Sequence, residues 1–106
     1  MTTTMLELET TVLGEMAVVR VAGEVDLATA PKLREALVAL SDDGVYVIEV
    51  DLSRATFMDS TALAVLVAAL RRCQHGGGRL VLSDPSPIAR KLLHTTRLSR
   101  LFGVRG

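Results

Sequence analysis

Apolar and polar residues alternate at the start of the chain, where Met5, Leu6 and Leu8 are interrupted by Glu7 and Glu9. A period of two predicts a half-buried strand over 5–12. Gly14-Glu15 supplies a turn, and Met16 to Ala22 (Met-Ala-Val-Val-Arg-Val-Ala) predicts a second strand, so the two read as a hairpin. The period then changes. Leu33, Ala36, Leu37 and Leu40 fall at i, i+3, i+4 and i+7, which is one face of a helix. Thr29 or Ala30 should cap that helix, Pro31 belongs in its first turn, and Asp42-Asp43-Gly44 stops it. Val45 to Leu52 is almost continuously apolar and β-branched. It predicts a central strand covered on both faces, with Glu49 an interruption that the pattern does not explain.

A second helix is predicted from Ser60 to Gln74, ended by Gly76-Gly77-Gly78, and a short strand follows from Arg79 to Leu82. Ser86-Pro87 opens a third helix that runs to His94, and Leu98 to Val104 reads as a turn of helix with a short extended piece. The order ββαβαβα plus a tail implies right-handed crossovers between parallel strands. The expected fold class is α/β: a mixed sheet of four to five strands with an N-terminal hairpin and helices mainly on one face.

Composition narrows the function. The core must be aliphatic, because the chain has no Trp, one Tyr and two Phe. Lys plus Arg equals Asp plus Glu at 12 each, so no basic excess points to nucleic acid. The pairs Arg71-Arg72 and Arg90-Lys91 are expected late in helices, where they complement the dipole. A single cysteine, Cys73, excludes an intrachain disulfide and fits a reducing compartment. Met1-Thr2-Thr3-Thr4 lacks the basic-then-apolar signature of a secretory leader, and position 2 is not the Gly that myristoylation needs. The longest apolar run, Ala62 to Leu70, is too short to span a bilayer. A cytoplasmic protein without direct membrane insertion is expected.

The chemistry gathers between the central strand and the second helix, in Met58-Asp59-Ser60-Thr61. Function in open α/β sheets collects at the carboxyl ends of strands. Asp and Ser are also ordinary helix caps. A reciprocal capping box is missing, however, since Ala62 and Leu63 stand where Glu or Gln would be needed. The helix behind the turn is apolar nearly all round. Leu63, Leu66, Val67 and Leu70 form a core stripe, while Thr61, Val65, Ala68 and Arg72 lie opposite. A small, smooth face around Val65 and Ala68 suits docking against another protein, or cover by another part of this chain.

Other constellations fail on spacing. Gly76-Gly77-Gly78-Arg79 follows a helix and precedes a strand, the reverse of a phosphate loop. Cys73, His75 and His94 lack metal-ligand spacing. A nucleophile elbow needs Gly two residues either side of the serine, and Met58 and Ala62 occupy those positions. No cofactor, metal or catalytic activity is expected.

Two stretches together, Gly23-Glu24-Val25-Asp26-Leu27-Ala28-Thr29-Ala30-Pro31 and Asp51-Leu52-Ser53 followed by Phe57-Met58-Asp59-Ser60-Thr61-Ala62-Leu63, closely resemble the STAS-domain anti-sigma factor antagonists of bacteria. Their spacing and the terminal Leu101-Phe102 match as well, so the resemblance covers about 5–102 and implies one STAS domain over 1–106. It implies binding to an anti-sigma factor that is also a GHKL-type serine kinase, which frees a sigma factor. It further implies phosphorylation of Ser60 by that kinase to break the complex, and reversal by a PP2C-type phosphatase. By the same resemblance, Asp26 lies close to the phosphorylation site, and Asp26, Asp59, Ser60, Thr61, Val65 and Ala68 are the expected partner-binding residues. The sequence departs from the family pattern at Ala62, where Gly is usual, which is expected to add a methyl where a kinase loop approaches. Many members continue into a further helix, whereas this sequence stops at Gly106, so a surface that others cover is expected to be bare or to pair with a partner. Those departures suit a second class, a constitutive STAS subunit of a lipid-transport ABC complex or sensory assembly in which Ser60 is not phosphorylated.

Overall fold

The computed structural model describes residues 5–106; residues 1–4, inspected for a leader, lie outside the described residues. Strands β1 (Leu6–Leu13) and β2 (Met16–Val25) form the predicted hairpin, pairing Leu13 with Met16. Gly14 takes φ +65° at the first turn position, a backbone that favours glycine in a two-residue hairpin. Helix α1 (Ala30–Asp42) carries the chain to β3 (Val47–Met58), and α2 (Ser60–His75) carries it to β4 (Arg79–Ser83). Helix α3 (Pro87–Thr96) and a 3₁₀ turn (Leu98–Arg100) lead to β5 (Gly103–Arg105). The sheet order is β1-β2-β3-β4-β5, antiparallel in the hairpin and parallel from β2 onward. The predicted tail is therefore the fifth strand, with Leu82 opposite Val104.

One face of the sheet is the core. Ala17, Val19 and Val21 of β2, Ile48, Val50 and Leu52 of β3, and Leu80 and Leu82 of β4 are buried there with Leu33, Leu37, Leu63, Leu66 and Leu93 from the three helices. Each of these Val, Leu and Ile side chains contributes about 1.5–3 kcal/mol relative to exposure. The Cα envelope is 21 Å in its shortest dimension, the thickness of one sheet and one helical layer. This corrects the expectation that β3 is covered on both faces. Its alternate residues Val47, Glu49 and Asp51 are half-buried on the open side. Glu49 thereby gains its explanation: it pairs with Arg105 of β5 across that open face. Beside it, Arg20 Nη1 lies 3.3 Å from Glu9 Oε1 and 3.2 Å from Thr11 Oγ1.

β3 is longer than the pattern predicts, because pairing with β2 continues through two irregularities. Arg20 faces Asp51 but Ala22 faces Arg54, and Gly23 faces Ala55 but Glu24 faces Phe57. Each step gives β3 one residue more than β2, the signature of a β-bulge. The bulges carry β3 on to Met58 beside Val25.

Two local expectations also change. Thr29 occupies the N-cap position of α1 but makes no side-chain cap. Arg90 and Lys91 stand in the first half of α3, not in its last turn, so the helix dipole does not account for them.

Candidate functional site

Val25 and Met58 are paired neighbours in parallel strands, so the chain leaves β2 and β3 side by side. The next residues are Asp26 and Asp59. Two aspartates thus stand at adjacent strand ends, the position where α/β sheets gather function.

Each carboxylate is fixed by backbone amides. Asp59 is the N-cap of α2, with Oδ1 accepting from Thr61 N at 2.9 Å and Ala62 N at 3.3 Å. Those amides are orphans of the first helical turn, and the anion also sits at the positive end of the dipole. Asp26 Oδ1 accepts from Ala28 N at 2.9 Å and Thr29 N at 3.0 Å. Thr29 Oγ1 then donates to Glu24 O at 2.7 Å and accepts from Asp26 N at 3.0 Å, closing the turn. Asp26 is therefore a structural anchor of the β2–α1 turn. Replacing Asp59 with Ala is expected to cost about 1 kcal/mol through loss of the cap. Urea unfolding checks this, and an unchanged midpoint would contradict the role.

Ser60 is the first residue of α2 and is exposed. Its Oγ makes no hydrogen bond among the described residues. Thr61 beside it is half-buried. An exposed, unengaged hydroxyl at a helix N-terminus, next in sequence to Asp59, can receive a phosphate without breaking any existing contact.

The outer face of α2 differs by one residue from the predicted one. Ser60, Ala64, Ala68 and Arg71 are exposed, one continuous stripe at helical spacing. Ala68 lies on this stripe as expected. Val65 is half-buried against the core, and so is Val67 of the predicted core stripe. Ala64 was missed although it stands at i+4 from Ser60; counting the face from Ser60 rather than Thr61 would have found it. Leu27 was also missed. It is 78% exposed at the tip of the turn that Asp26 holds. No sequence signal marks it, since the turn geometry alone turns it outward.

Ala62 is fully buried. Its methyl faces the core and is not offered to an approaching loop, contrary to expectation. Cys73 is buried too, and burial pushes its thiol up, with Arg72 opposing weakly. It stays a protonated core residue at neutral pH. Among the described residues no cluster of His, Cys, Asp and Glu could hold a metal, and no helix is long and apolar enough to cross a membrane.

Comparison with known proteins places this geometry in a family. A family model described as "Mlab, STAS domain" matches residues 9–103. An anti-sigma-B factor antagonist of Staphylococcus aureus is 33% identical over 99 residues, which span 93% of this chain and 92% of that protein. An anti-sigma factor antagonist from Mycobacterium paratuberculosis superposes with a TM-score of 0.85 at 28% identity, covering 94% of this chain and 85% of that one. The Bacillus cell fate determinant SpoIIAA in its phosphorylated form superposes with a TM-score of 0.72 at 27% identity, covering 93% and 89%. The five-stranded mixed sheet, the N-terminal hairpin and the matched residues show that this chain belongs to the STAS-domain family of anti-sigma factor antagonists.

Proposed function

We propose that this protein antagonises an anti-sigma factor that is also a serine kinase, and that phosphorylation of Ser60 switches it off. The observation that carries the reading is the exposed, unbonded Ser60 hydroxyl at the first turn of α2, beside the anchored Asp59 carboxylate and on the strand end next to that of Asp26. The unmodified site is compact, with the small side chains of Ala64 and Ala68 continuing from it along the exposed face. Such a surface allows close approach of a partner.

Phosphate adds about −1.5 to −2 charges and three acceptors at one point. The helix dipole tolerates that charge in the free protein. A partner packed over the site would instead have to bury a dianion beside Asp59 and Asp26, and such desolvation is costly. The fold survives while the complex fails. A PP2C-type phosphatase restoring the hydroxyl completes the cycle.

The buried methyl of Ala62 supports this reading over a constitutive subunit role, because it leaves the approach to Ser60 open. The test is to incubate the protein with its cognate anti-sigma kinase and ATP and to locate the phosphate by mass spectrometry. One phosphate on Ser60, absent in Ser60→Ala, is expected. No transfer from an authentic partner would overturn the kinase reading.

A further inference from the structure

The balanced charge of the chain hides a strong asymmetry. Residues 85–106 contain Arg90, Lys91, Arg97, Arg100 and Arg105 and not one Asp or Glu. The preceding residues hold seven Lys/Arg against twelve Asp/Glu, so a segment of net +5 is joined to one of net −5. Arg105 is paired with Glu49, and Arg90 Nη2 donates to Gly106 O at 2.6 Å. Lys91, Arg97 and Arg100 are exposed and make no salt bridge among the described residues.

The fold gathers these cations around two adjoining concavities. One, of about 430 Å³, is lined by His94, Arg97, Ser99 and Arg100. Arg97 holds a left-handed backbone at φ 60° to end α3, which brings the chain round so that both arginines border the same hollow. The other, of about 580 Å³, shares His94 and Ser99 with the first. It adds the aliphatic groups of Pro85, Pro87, Leu93 and Val104, with Arg90 and Lys91 also at its wall.

We infer that this trough is a docking site for an acidic segment of a partner protein, with carboxylates at His94, Arg97 and Arg100 and an aliphatic side chain against Pro87 and Val104. Charge complementarity selects an anionic occupant. The apolar groove beside the cations selects one that also carries aliphatic groups. No Phe, Tyr or Trp lines either hollow, so nucleic-acid bases would lack the large stacking platforms of a single-strand binder. Helix α3 buries Ala89 and Leu93 in the core and exposes Arg90, Lys91 and His94, which leaves no outward apolar face for insertion into a bilayer.

No residue of the turn at Ser60 lines either hollow. Helix α3 starts beyond the carboxyl end of β4 and runs back, and the 3₁₀ turn precedes β5 opposite Val81. The hollow at His94, Arg97 and Arg100 therefore lies toward the end of the sheet where the parallel strands begin, while Pro85 and Pro87 of the other stand past the carboxyl end of β4, and Ser60 follows the carboxyl end of β3. The inference does not depend on the phosphorylation reading.

The test uses the full chain, isotope-labelled, titrated with a short synthetic peptide of alternating glutamate and leucine and with its glutamine–leucine counterpart. Amide shifts confined to α3, the 3₁₀ turn and β5 are expected, with about tenfold weaker binding of the glutamine peptide. The variant K91Q/R100Q, which leaves Arg97 in place, should lose about tenfold in affinity. The variant R34Q/R79Q removes the same charge from exposed positions elsewhere and should bind as the native chain does. Shifts centred on another surface, or an equal loss in both variants, would overturn the proposal. So would tighter binding of duplex DNA or phosphatidylglycerol vesicles than of the acidic peptide.

Discussion

Ser60→Glu is expected to weaken binding to the cognate anti-sigma factor by about a hundredfold while leaving the unfolding free energy within about 0.5 kcal/mol of the native value. The two halves of that result have one cause. Ser60 is the first residue of α2 and exposed, so a carboxylate there is stabilised by the dipole, by about 0.3–1 kcal/mol. That gain offsets the repulsion from Asp59, whose own charge is already engaged by Thr61 N and Ala62 N. In the complex the same carboxylate is pressed against a partner surface shaped for a neutral hydroxyl. Like charges brought together at an interface cost several kcal/mol, and about 2.7 kcal/mol corresponds to a hundredfold. Ser60→Ala should bind as tightly as the native chain and should not be released by ATP. Calorimetric titration of the three proteins into the anti-sigma factor gives the comparison. Native-like affinity for the glutamate variant would remove charge as the basis of the switch.

The same turn shows what a sequence can and cannot carry. Alternation over β1 and the i, i+3, i+4, i+7 pattern over α1 were legible, because each element buries one face and each face has its own period. The end of β3 was not. Its buried residues Leu52, Ala55 and Met58 fall every third position, since the two bulges reset the alternation that marks a strand. The six residues after Leu52 read as a loop for that reason. In α2, small or apolar residues on every side leave little contrast between buried and open faces. The stripe was therefore read from Thr61, one residue away from the exposed line through Ser60, Ala64 and Ala68. Glu49 was opaque because its partner, Arg105, is 56 residues away on a strand that reads as a tail. Asp59 and Ser60 were legible because residue type, strand end and helix start coincide at one place. The anchoring of Asp26 by Ala28 N and Thr29 N was not, because it depends on the closed shape of the turn.

Gly23→Ala should destabilise the protein by about 2–4 kcal/mol, an effect out of proportion to one methyl. Gly23 has φ +113°, a region that side chains rarely adopt, and strain there costs about 1–3 kcal/mol. A Cβ at this position would also run into the carbonyl oxygen of Met5 and come within 3.3 Å of Leu6 Cα. These are backbone atoms and cannot swing aside. Relief requires the start of β1 to move, and that breaks the bond from Glu24 N to Met5 O at 2.7 Å and strains the bond from Lys32 Nζ to Leu6 O at 2.7 Å. Gly14→Ala is the matched control. Gly14 has φ +65°, yet no atom outside its immediate neighbours lies within 4 Å of an added Cβ, so only conformational strain of about 1 kcal/mol applies. Urea unfolding of both variants separates collision from strain, and equal losses would show that β1 shifts freely. At a temperature where Gly23→Ala remains folded, it should also bind the anti-sigma factor more weakly than Gly14→Ala. Gly23 sits at the bulge that sets the register of Val25 against Met58, and that register is what brings Asp26 beside Asp59.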